Sequence, residues 1–228
     1  METLNNKKEE RMILVGLNIT DYKKNSASTK IEESMQELEE LARAAGGIVL
    51  GRIVQNKDNY DVAYYVGKGK AEEIKDFAQN MQANLIVFNE ELSGAQIRNL
   101  EDFIGIDVID RTALILDIFA KRALSKEGKL QVELAQYRYR LPRLIGLGKE
   151  MSKLGGGIGS KGPGEKKLET DKRHIRERIY DIQDEIKDIK KNRETQRSQR
   201  LKANLPIVAV VGYTNAGKST LLNELIKT

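Results

Sequence analysis

Residues 85–109 read LIVFNEELSGAQIRNLEDFIGIDVI, and this stretch decides the fold class. Residues 85–88 are all large and apolar, and residues 106–109 are apolar except for Asp107, so both segments predict buried strands. Between them, Ser93 has a side chain preferred at a helix N-cap, and the apolar residues that follow it have helical spacing. A strand, a helix and a second strand in this order predict one unit of a parallel sheet.

The same alternation continues towards the N-terminus. Three more strands are predicted, over residues 12–19, 48–54 and 62–66. Two more helices are predicted, over residues 28–45 and over the segment that carries Ile74, Phe77 and Met81. Strands that alternate with helices predict an α/β fold in which helices flank a mainly parallel sheet.

The central part of the chain has a different pattern, with apolar residues at alternating spacings of four and three. One seam is formed by Leu130, Leu134, Tyr137, Leu141 and Leu144, in a long helix predicted over residues 112–144. The other seam is formed by Ile175, Ile179, Ile182, Ile186 and Ile189, in a helix predicted over residues 169–200. Two helices with matching heptad seams predict an antiparallel hairpin, whose first arm Pro142 should kink or interrupt.

A glycine-rich segment, GLGKEMSKLGGGIGSKGPG at residues 146–164, is predicted to be the loop of this hairpin. It holds eight glycines, with Lys149, Lys153 and Lys161 among them. Because glycine has no Cβ, its backbone amides can approach a ligand closely, and the segment could bind phosphate or enter RNA. The alternative is a flexible linker, but linkers usually carry few apolar residues and this segment has four.

Positive charge is concentrated in the same central part. Residues 1–120 hold 14 basic and 21 acidic residues, a net charge of −7, whereas residues 121–202 hold 23 and 12, a net charge of +11. A strongly basic segment beside an acidic one predicts a polyanionic partner, either nucleic acid or a membrane surface. A solvated helix face is the alternative, and the adjacent glycine-rich loop favours a functional surface.

The composition excludes several classes of protein. The 228 residues include no cysteine, which excludes a disulfide scaffold, a thiolate metal site and a cysteine nucleophile. No apolar run approaches the length of a membrane span, and the first residues, METLNNKKEER, lack the apolar block of a signal peptide. We therefore expect a cytoplasmic protein that does not enter the membrane.

Residues 205–225, LPIVAVVGYTNAGKSTLLNEL, carry the motif with the most specific chemistry. The pattern G-x-x-x-x-G-K-S stands between an apolar strand and a helix, which is the context that a P-loop requires. Its backbone N–H groups can surround phosphates, Lys218 would reach the β- and γ-phosphates, and Ser219 would ligate Mg²⁺. The predicted nucleotide-binding residues are Gly212, Tyr213, Thr214, Asn215, Ala216, Gly217, Lys218, Ser219 and Thr220.

Two motifs resemble known GTPases, although a P-loop alone does not distinguish ATP from GTP. With Asn215, the form G-x-x-N-x-G-K-S-[ST] resembles the loop of translation-factor-type small GTPases, particularly the Era and Obg relatives. Residues 155–173, GGGIGSKGPGEKKLETDKR, resemble the signature of the HflX family of GTPases, which is roughly GGIGxRGPGExxLExDRR. Lys161 and Lys172 stand where arginine is usual, which keeps the charge but loses bidentate phosphate geometry.

Residues 64–70, YYVGKGK, and the pair Arg111-Thr112 also resemble the N-terminal domain of the HflX family. The resemblance implies a GTPase that binds GTP or GDP with Mg²⁺, docks on the large ribosomal subunit and splits or rescues stalled ribosomes. It also implies that the α/β domain, the hairpin and the glycine-rich loop contact ribosomal RNA. The expected RNA contacts are Lys149, Lys153, Gly155, Gly156, Gly157, Ile158, Gly159, Ser160, Lys161, Lys172 and Arg173.

Three regions are predicted: an N-terminal α/β domain over residues 1–111, a basic helical hairpin over 112–204, and the start of a P-loop GTPase domain over 205–228. No D-x-x-G segment follows the P-loop, and no N-K-x-D segment occurs in the chain. We therefore expect the N-terminal part of a longer GTPase, with a truncated G domain, no catalytic residue and negligible GTP hydrolysis. A monomer is expected, although exposed apolar surface at the truncated end could cause self-association.

Other functions stay open at this point. The chain could be a stand-alone RNA-binding module, or its N-terminal domain could bind ATP in a regulatory role. Residues 67–70, GKGK, precede a helix where phosphate could bind, but no serine or threonine follows either lysine, which favours a tight solvated turn. A membrane-surface role is disfavoured because the isoleucines of the hairpin seam would face a partner helix.

Overall fold

The computed structural model describes residues 9–19, 27–154, 163–202, 208–212 and 216–226, with the backbone alone at 27–29, 145–154 and 163–168. Within these residues the strands are β1 Arg11–Ile19, β2 Ile48–Lys57, β3 Leu85–Phe88 and β4 Asp107–Asp110. The helices are α1 Ala27–Ala44, α2 Lys68–Asn80, α3 Gly94–Ile104, α4 Arg111–Arg122, α5 Lys126–Leu154, α6 Pro163–Lys202 and α7 Lys218–Ile226.

The four strands form one parallel sheet in the order β2-β1-β3-β4. This confirms the predicted α/β class with a mainly parallel sheet. Strand β2 lies on one side of β1, and β3 lies on the other side. Such a reversal of strand order creates a crevice at the carboxyl ends of β1 and β3, where polar side chains can gather.

Strand β1 is buried on both faces because its side chains alternate between two apolar cores. Ile13 and Val15 belong to the core formed with α2 and α3. Met12 and Leu14 belong to the core formed with α1 and α4. Ser93 is the N-cap of α3, as predicted, and it forms a capping box with Gln96.

The strand predicted over residues 62–66 is wrong, since these residues form a turn closed by a bridge between Asp61 and Tyr65. One carboxylate oxygen of Asp61 accepts hydrogen bonds from the N–H groups of Ala63 at 2.8 Å and Tyr64 at 2.9 Å. These two bonds lower the pKa of the Asp61 carboxyl. Tyr65 has a φ of 66°, which no strand contains. An Asx-turn therefore overrides the β propensity of the apolar run.

The single helix predicted over residues 112–144 is also wrong, because it divides into α4 and α5. Ala123 has an extended backbone with ψ of 108° and ends α4. The Ser125 hydroxyl accepts a hydrogen bond of 3.0 Å from the N–H of Gly128 in the first turn of α5. The serine thus caps a new helix. Helix α4 packs on the sheet beside α1 through Leu114 and Ile118.

Helix α5 continues through Pro142 to Leu154, so the predicted interruption does not occur. The segment predicted as a glycine-rich loop, residues 146–164, is therefore helical over 146–154, and its last two residues belong to α6, which begins at Pro163. Its remaining part, residues 155–162, lies outside the described residues. Helix α5 thus continues past Gly146 and Gly148, although the low helix propensity of glycine favours a loop there.

Helices α5 and α6 run antiparallel, as the heptad seams predict. Lys126 lies 3.7 Å from Glu185, and Glu133 accepts a hydrogen bond of 3.0 Å from Nε of Arg178. The later residue of α5 thus contacts the earlier residue of α6, so the two helices point in opposite directions. Within the seams Leu130, Ile182 and Ile186 are buried, and the other seam residues are half-buried.

Residues 187–228 form a unit separate from residues 1–186. The strand predicted over 205–211 is not formed in its described part, residues 208–211, because no neighbouring strand supplies hydrogen bonds there. Val208 and Val211 are 84% and 90% exposed, and the apolar side chains of α7 are also exposed. The expected exposed apolar surface is therefore present in this unit.

Candidate functional site

The P-loop motif lies at the start of α7. Gly217 has a φ of +75°, a left-handed conformation that favours glycine, and Lys218 is the first helical residue after it. The Nζ atom of Lys218 donates a hydrogen bond of 2.7 Å to the carbonyl oxygen of Gly212. The ammonium group therefore reaches from the helix back to the first glycine of the motif.

A polar cleft of about 310 Å³ lies beside this ammonium group, and its lining is Ala216, Gly217, Lys218, Ser219 and Thr220. The first backbone N–H groups of a helix have no partner within the helix, and the helix dipole makes this end positive. Tyr213, Thr214 and Asn215 lie outside the described residues. The structure thus brings together six of the predicted nucleotide-binding residues, which are Gly212 and the five that line the cleft.

The residues predicted to contact RNA lie in three places: helix α5, the segment outside the described residues, and helix α6. Lys149 and Lys153 lie in helix α5, where the backbone alone is described, and not in a loop. Seven of the contacts lie outside the described residues: Gly155, Gly156, Gly157, Ile158, Gly159, Ser160 and Lys161.

The two remaining candidates lie on α6 and differ in accessibility. The Lys172 side chain is 12% exposed, and its Nζ atom lies 3.8 Å from the Glu169 carboxylate. The Arg173 side chain is 67% exposed and lies 3.9 Å from Glu177. Each cation lies near a carboxylate, but the larger exposure of Arg173 makes it the more accessible of the two to a phosphate.

The last part of α6 forms a more extensive basic surface than the candidates chosen from the sequence. Every residue from 190 to 202 is exposed, and only one of them is acidic. The cations of this surface are Lys190, Lys191, Arg193, Arg197, Arg200 and Lys202. A helix that is polar on all sides cannot gain stability from a buried face of its own, so these residues are suited to contact a partner.

Residues 67–70 begin helix α2, and their polar groups have partners within the chain. The backbone N–H of Gly67 donates a hydrogen bond of 2.9 Å to Gln55, and Lys70 lies 2.5 Å from Glu73. Both groups would have to exchange these partners to hold a phosphate. The N-cap of α2, Gly67, makes no side-chain capping hydrogen bond, so these two contacts satisfy only part of the helix start.

The crevice at the carboxyl ends of β1 and β3 is occupied by hydrogen-bonded polar side chains, of which the sequence singled out only Arg111. Asn89 donates to the hydroxyl of Ser34 at 2.9 Å and to Glu90 at 2.8 Å. Arg111 lies within 3.3 Å of both Ser34 and Asn89. The other carboxylate oxygen of Glu90 is buried without a hydrogen-bond partner. Burial raises the pKa of the Glu90 carboxyl, and its hydrogen bond with Asn89 opposes this effect.

Replacing Glu90 with glutamine is expected to stabilise the protein at pH 7 by roughly a few tenths of a kcal/mol, after screening by solvent. Because the pKa of Glu90 is higher in the folded than in the unfolded state, the protonated carboxyl favours folding at low pH. This contribution to the free energy of unfolding is lost as the pH rises through the folded-state pKa. The gain should therefore shrink when urea unfolding is repeated near pH 4. The matched change of Glu72, an exposed residue of α2, should show no such gain. Equal effects of the two changes at pH 7 would contradict the prediction.

A second cluster that the sequence did not single out connects α5 with the sheet. Asp110 is fully buried, and its carboxylate accepts hydrogen bonds from the N–H groups of Ala113 at 2.9 Å and Leu92 at 3.1 Å. Arg143 donates to the same carboxylate at 2.8 Å. Burial raises the pKa of Tyr139, and its hydrogen bond to Asp110 adds to this effect. Asp110 is recognisable in the sequence as an N-cap, but nothing local to it indicates Arg143.

The described residues lack two further kinds of feature. They contain no group of three or more histidine, cysteine, aspartate or glutamate side chains that could hold a metal ion. No helix among them is long and apolar enough to cross a membrane.

Three family models match consecutive parts of this chain. They are described as GTP-binding GTPase N-terminal, over residues 32–120, GTP-binding GTPase Middle Region, over 122–200, and 50S ribosome-binding GTPase, over 207–228. The chain is 56% identical over 217 residues to the GTPase HflX of Caldanaerobacter subterraneus, which covers 95% of this chain and 49% of that relative. It is 48% identical over 193 residues to the GTPase HflX of Escherichia coli, covering 85% and 45%.

The chain belongs to the HflX family of GTPases. The resemblance drawn from the glycine-rich signature and the P-loop is thereby confirmed. The chain spans about half the length of the curated HflX relatives that it matches.

Solved structures of GTP-binding proteins have the same fold as this HflX family member. A crystal structure of SsGBP with GDP has a TM-score of 0.59 and 25% identity, and the match covers 96% of this chain and 56% of that one. A GTP-binding protein from the hyperthermophilic archaeon Sulfolobus solfataricus, also with GDP, has a TM-score of 0.53 and 24% identity, covering 94% and 53%. The second likeness concerns the fold alone.

Proposed function

We propose that this chain is the ribosome-docking portion of an HflX-type GTPase that binds the large ribosomal subunit and uses GTP to split or rescue stalled ribosomes. The observation that carries the proposal is the basic surface of residues 190–202, with six cations and one acidic residue on a stretch of α6 in which every residue is exposed. RNA phosphates attract such a surface by releasing the counterions bound to them. The match of residues 207–228 to a model described as 50S ribosome-binding GTPase supports the choice of partner. A ribosomal partner also implies a cytoplasmic location.

GTP or GDP is proposed as the nucleotide of the P-loop. The backbone N–H groups in the first turn of α7 and the Lys218 ammonium group are suited to hold phosphates. The Ser219 hydroxyl is a hard oxygen ligand of the kind that Mg²⁺ prefers. When bound, Mg²⁺ would neutralise charge on the phosphates. Turnover by the 228-residue chain should remain at background, because no D-x-x-G segment follows the P-loop.

Binding to purified large ribosomal subunits should fall steeply as salt is raised from about 50 to 200 mM, because each phosphate contact releases counterions. Changing Arg197 and Arg200 to glutamine should reduce the slope of log affinity against log salt by about 2, which is one unit for each lost phosphate contact. Sedimentation of the chain with the subunits measures this slope.

The matched control changes two exposed cations of α1, Lys30 and Arg43, to glutamine. It alters the net charge equally, yet it should leave the salt slope unchanged. An equal loss of slope in both variants would show that α6 is not a localised contact. A same-length glycine-serine replacement of residues 155–162 tests the glycine-rich segment, and unchanged affinity would remove that segment from the contact.

A further inference from the structure

Arg143 connects helix α5 to two separate loops of the α/β layer. Its Nη2 atom donates to the carbonyl oxygen of Leu92 at 2.9 Å, to the carboxylate of Asp110 at 2.8 Å and to that of Glu91 at 3.1 Å. The guanidinium carbon lies 3.4 Å from the centre of the Tyr139 ring, one helical turn earlier. The Arg143 side chain is 13% exposed. One arginine thus joins α5 to the ends of both β3 and β4.

The backbones of α3 and α5 also meet at this arginine. A Cβ atom on Gly94, the first residue of α3, would lie 2.5 Å from the carbonyl oxygen of Arg143 and 2.9 Å from its Cα. No side chain fits between the two helices at that point. The polar contacts of the Arg143 side chain therefore lie beside the point where the backbones of α3 and α5 come closest to each other at Gly94.

Arg143 lies in the second half of the long helix α5, where its contacts give the helix a second point of attachment to the α/β layer. At its beginning α5 follows α4 after residues 123–125, and the two helices line one apolar cleft there. Arg143 lies about 26 Å along the helix from Lys126, and Leu154 lies about 42 Å along it, at 1.5 Å per residue. A pivot of about 10° at residues 123–125 would therefore move the end of α5 by about 7 Å.

Pro142 weakens the helix beside this anchor. A proline has no N–H, so Pro142 cannot donate the helical hydrogen bond to the carbonyl of Arg138. Because α5 has one fewer hydrogen bond at this point, contacts made by the next residue are needed to fix its direction.

We propose that Arg143 is a positioning residue, whose contacts with Asp110, Glu91 and Leu92 hold α5 at one angle to the sheet. By doing so, it sets the direction in which the end of α5 meets RNA. The first statement depends on the contacts of Arg143 alone, and the second rests on the proposed docking to the large ribosomal subunit.

Distances between two spin labels test the first statement. The chain has no cysteine, so cysteines introduced at Glu72 of α2 and Arg140 of α5, both exposed, can be labelled without background. Pulsed electron paramagnetic resonance should give one narrow distance distribution for the otherwise unchanged chain. Arg143→Gln should broaden it or add distances that differ by about 3 Å or more, as expected for a pivot of about 10° over this part of the helix.

Two variants separate positioning from a general loss of folding. Asp110→Asn combined with Arg143→Gln replaces the ion pair with neutral amides, leaves no buried charge unpaired and should also broaden the distribution. Arg178→Gln breaks an ion pair between α5 and α6 without touching the sheet, and should leave the distribution narrow. A narrow, unshifted distribution in the double variant overturns the proposal, even where Arg143→Gln alone does not fold.

Ribosome binding tests the second statement and separates it from the proposed function. Arg143→Gln should lower the affinity for large subunits at least about fivefold while leaving the salt slope unchanged, because no phosphate contact is lost. A reduced slope would make Arg143 a phosphate contact and overturn its positioning role. If the unchanged chain does not bind large subunits at all, the proposed function fails, whereas the label distances still decide whether Arg143 fixes α5.

Discussion

Replacing Asp110 with alanine is expected to lower the free energy of unfolding by about 4 kcal/mol, since it removes one partner of a buried ion pair. The Asp110 side chain is fully buried, and its carboxylate bonds Arg143 and the N–H groups of Leu92 and Ala113. Alanine would leave the guanidinium group of Arg143 facing a site without its main counter-charge. It would also remove the N-cap of α4, which alone contributes about 1 kcal/mol.

Asp107→Ala is the matched control, because Asp107 lies in the same strand and is exposed. Urea unfolding of both variants at pH 7 measures the difference, and the control should change stability by less than about 0.5 kcal/mol. Asp110→Asn should fall between the two, because asparagine keeps the cap but not the charge. A loss below about 1 kcal/mol for Asp110→Ala would show that Arg143 finds another partner.

Replacing Phe88 with alanine is the second change with a large expected effect, a loss of about 3–5 kcal/mol. Phe88 is fully buried at the end of β3, and its ring meets the Tyr65 ring edge-on at 6.2 Å between centroids. The core on that face is formed by the sheet, two helices and the 62–66 turn, so its side chains cannot collapse together into the space. The alanine variant therefore leaves a cavity as well as less buried apolar area.

Phe119→Ala provides the comparison, because this phenylalanine of α4 is 55% exposed. Its loss should cost less than about 1 kcal/mol, and the shift in thermal midpoint should be several times smaller than for Phe88→Ala. Similar midpoints for the two variants would place Phe88 outside the cooperative core.

Local sequence patterns predict most of the elements of this fold. The order of strands and helices, the N-cap at Ser93 and the antiparallel pairing of α5 with α6 are all encoded by spacing within a few turns. The P-loop is encoded in the same way, because G-x-x-x-x-G-K-S fixes both its glycine conformation and the position of Lys218.

Two of the wrong predictions have a common cause. The apolar run at residues 62–66 has β propensity, but the Asp61 carboxylate binds two of its N–H groups and turns the chain. The predicted helix over 112–144 is divided because Ser125 caps a new helix while α4 packs on the sheet. In both cases a short-range polar side chain outweighs the apolar periodicity on which the prediction relied.

The sequence by itself determined the α/β class, the basic hairpin, the P-loop and the family. The tertiary structure decided which buried charges meet. Asp110 and Arg143 are 33 residues apart and on different elements, and Glu90 becomes buried only when β1 and β3 lie side by side. Periodicity and capping are local properties of a chain, whereas the desolvation and pairing of a charge depend on neighbours that only the folded chain brings together.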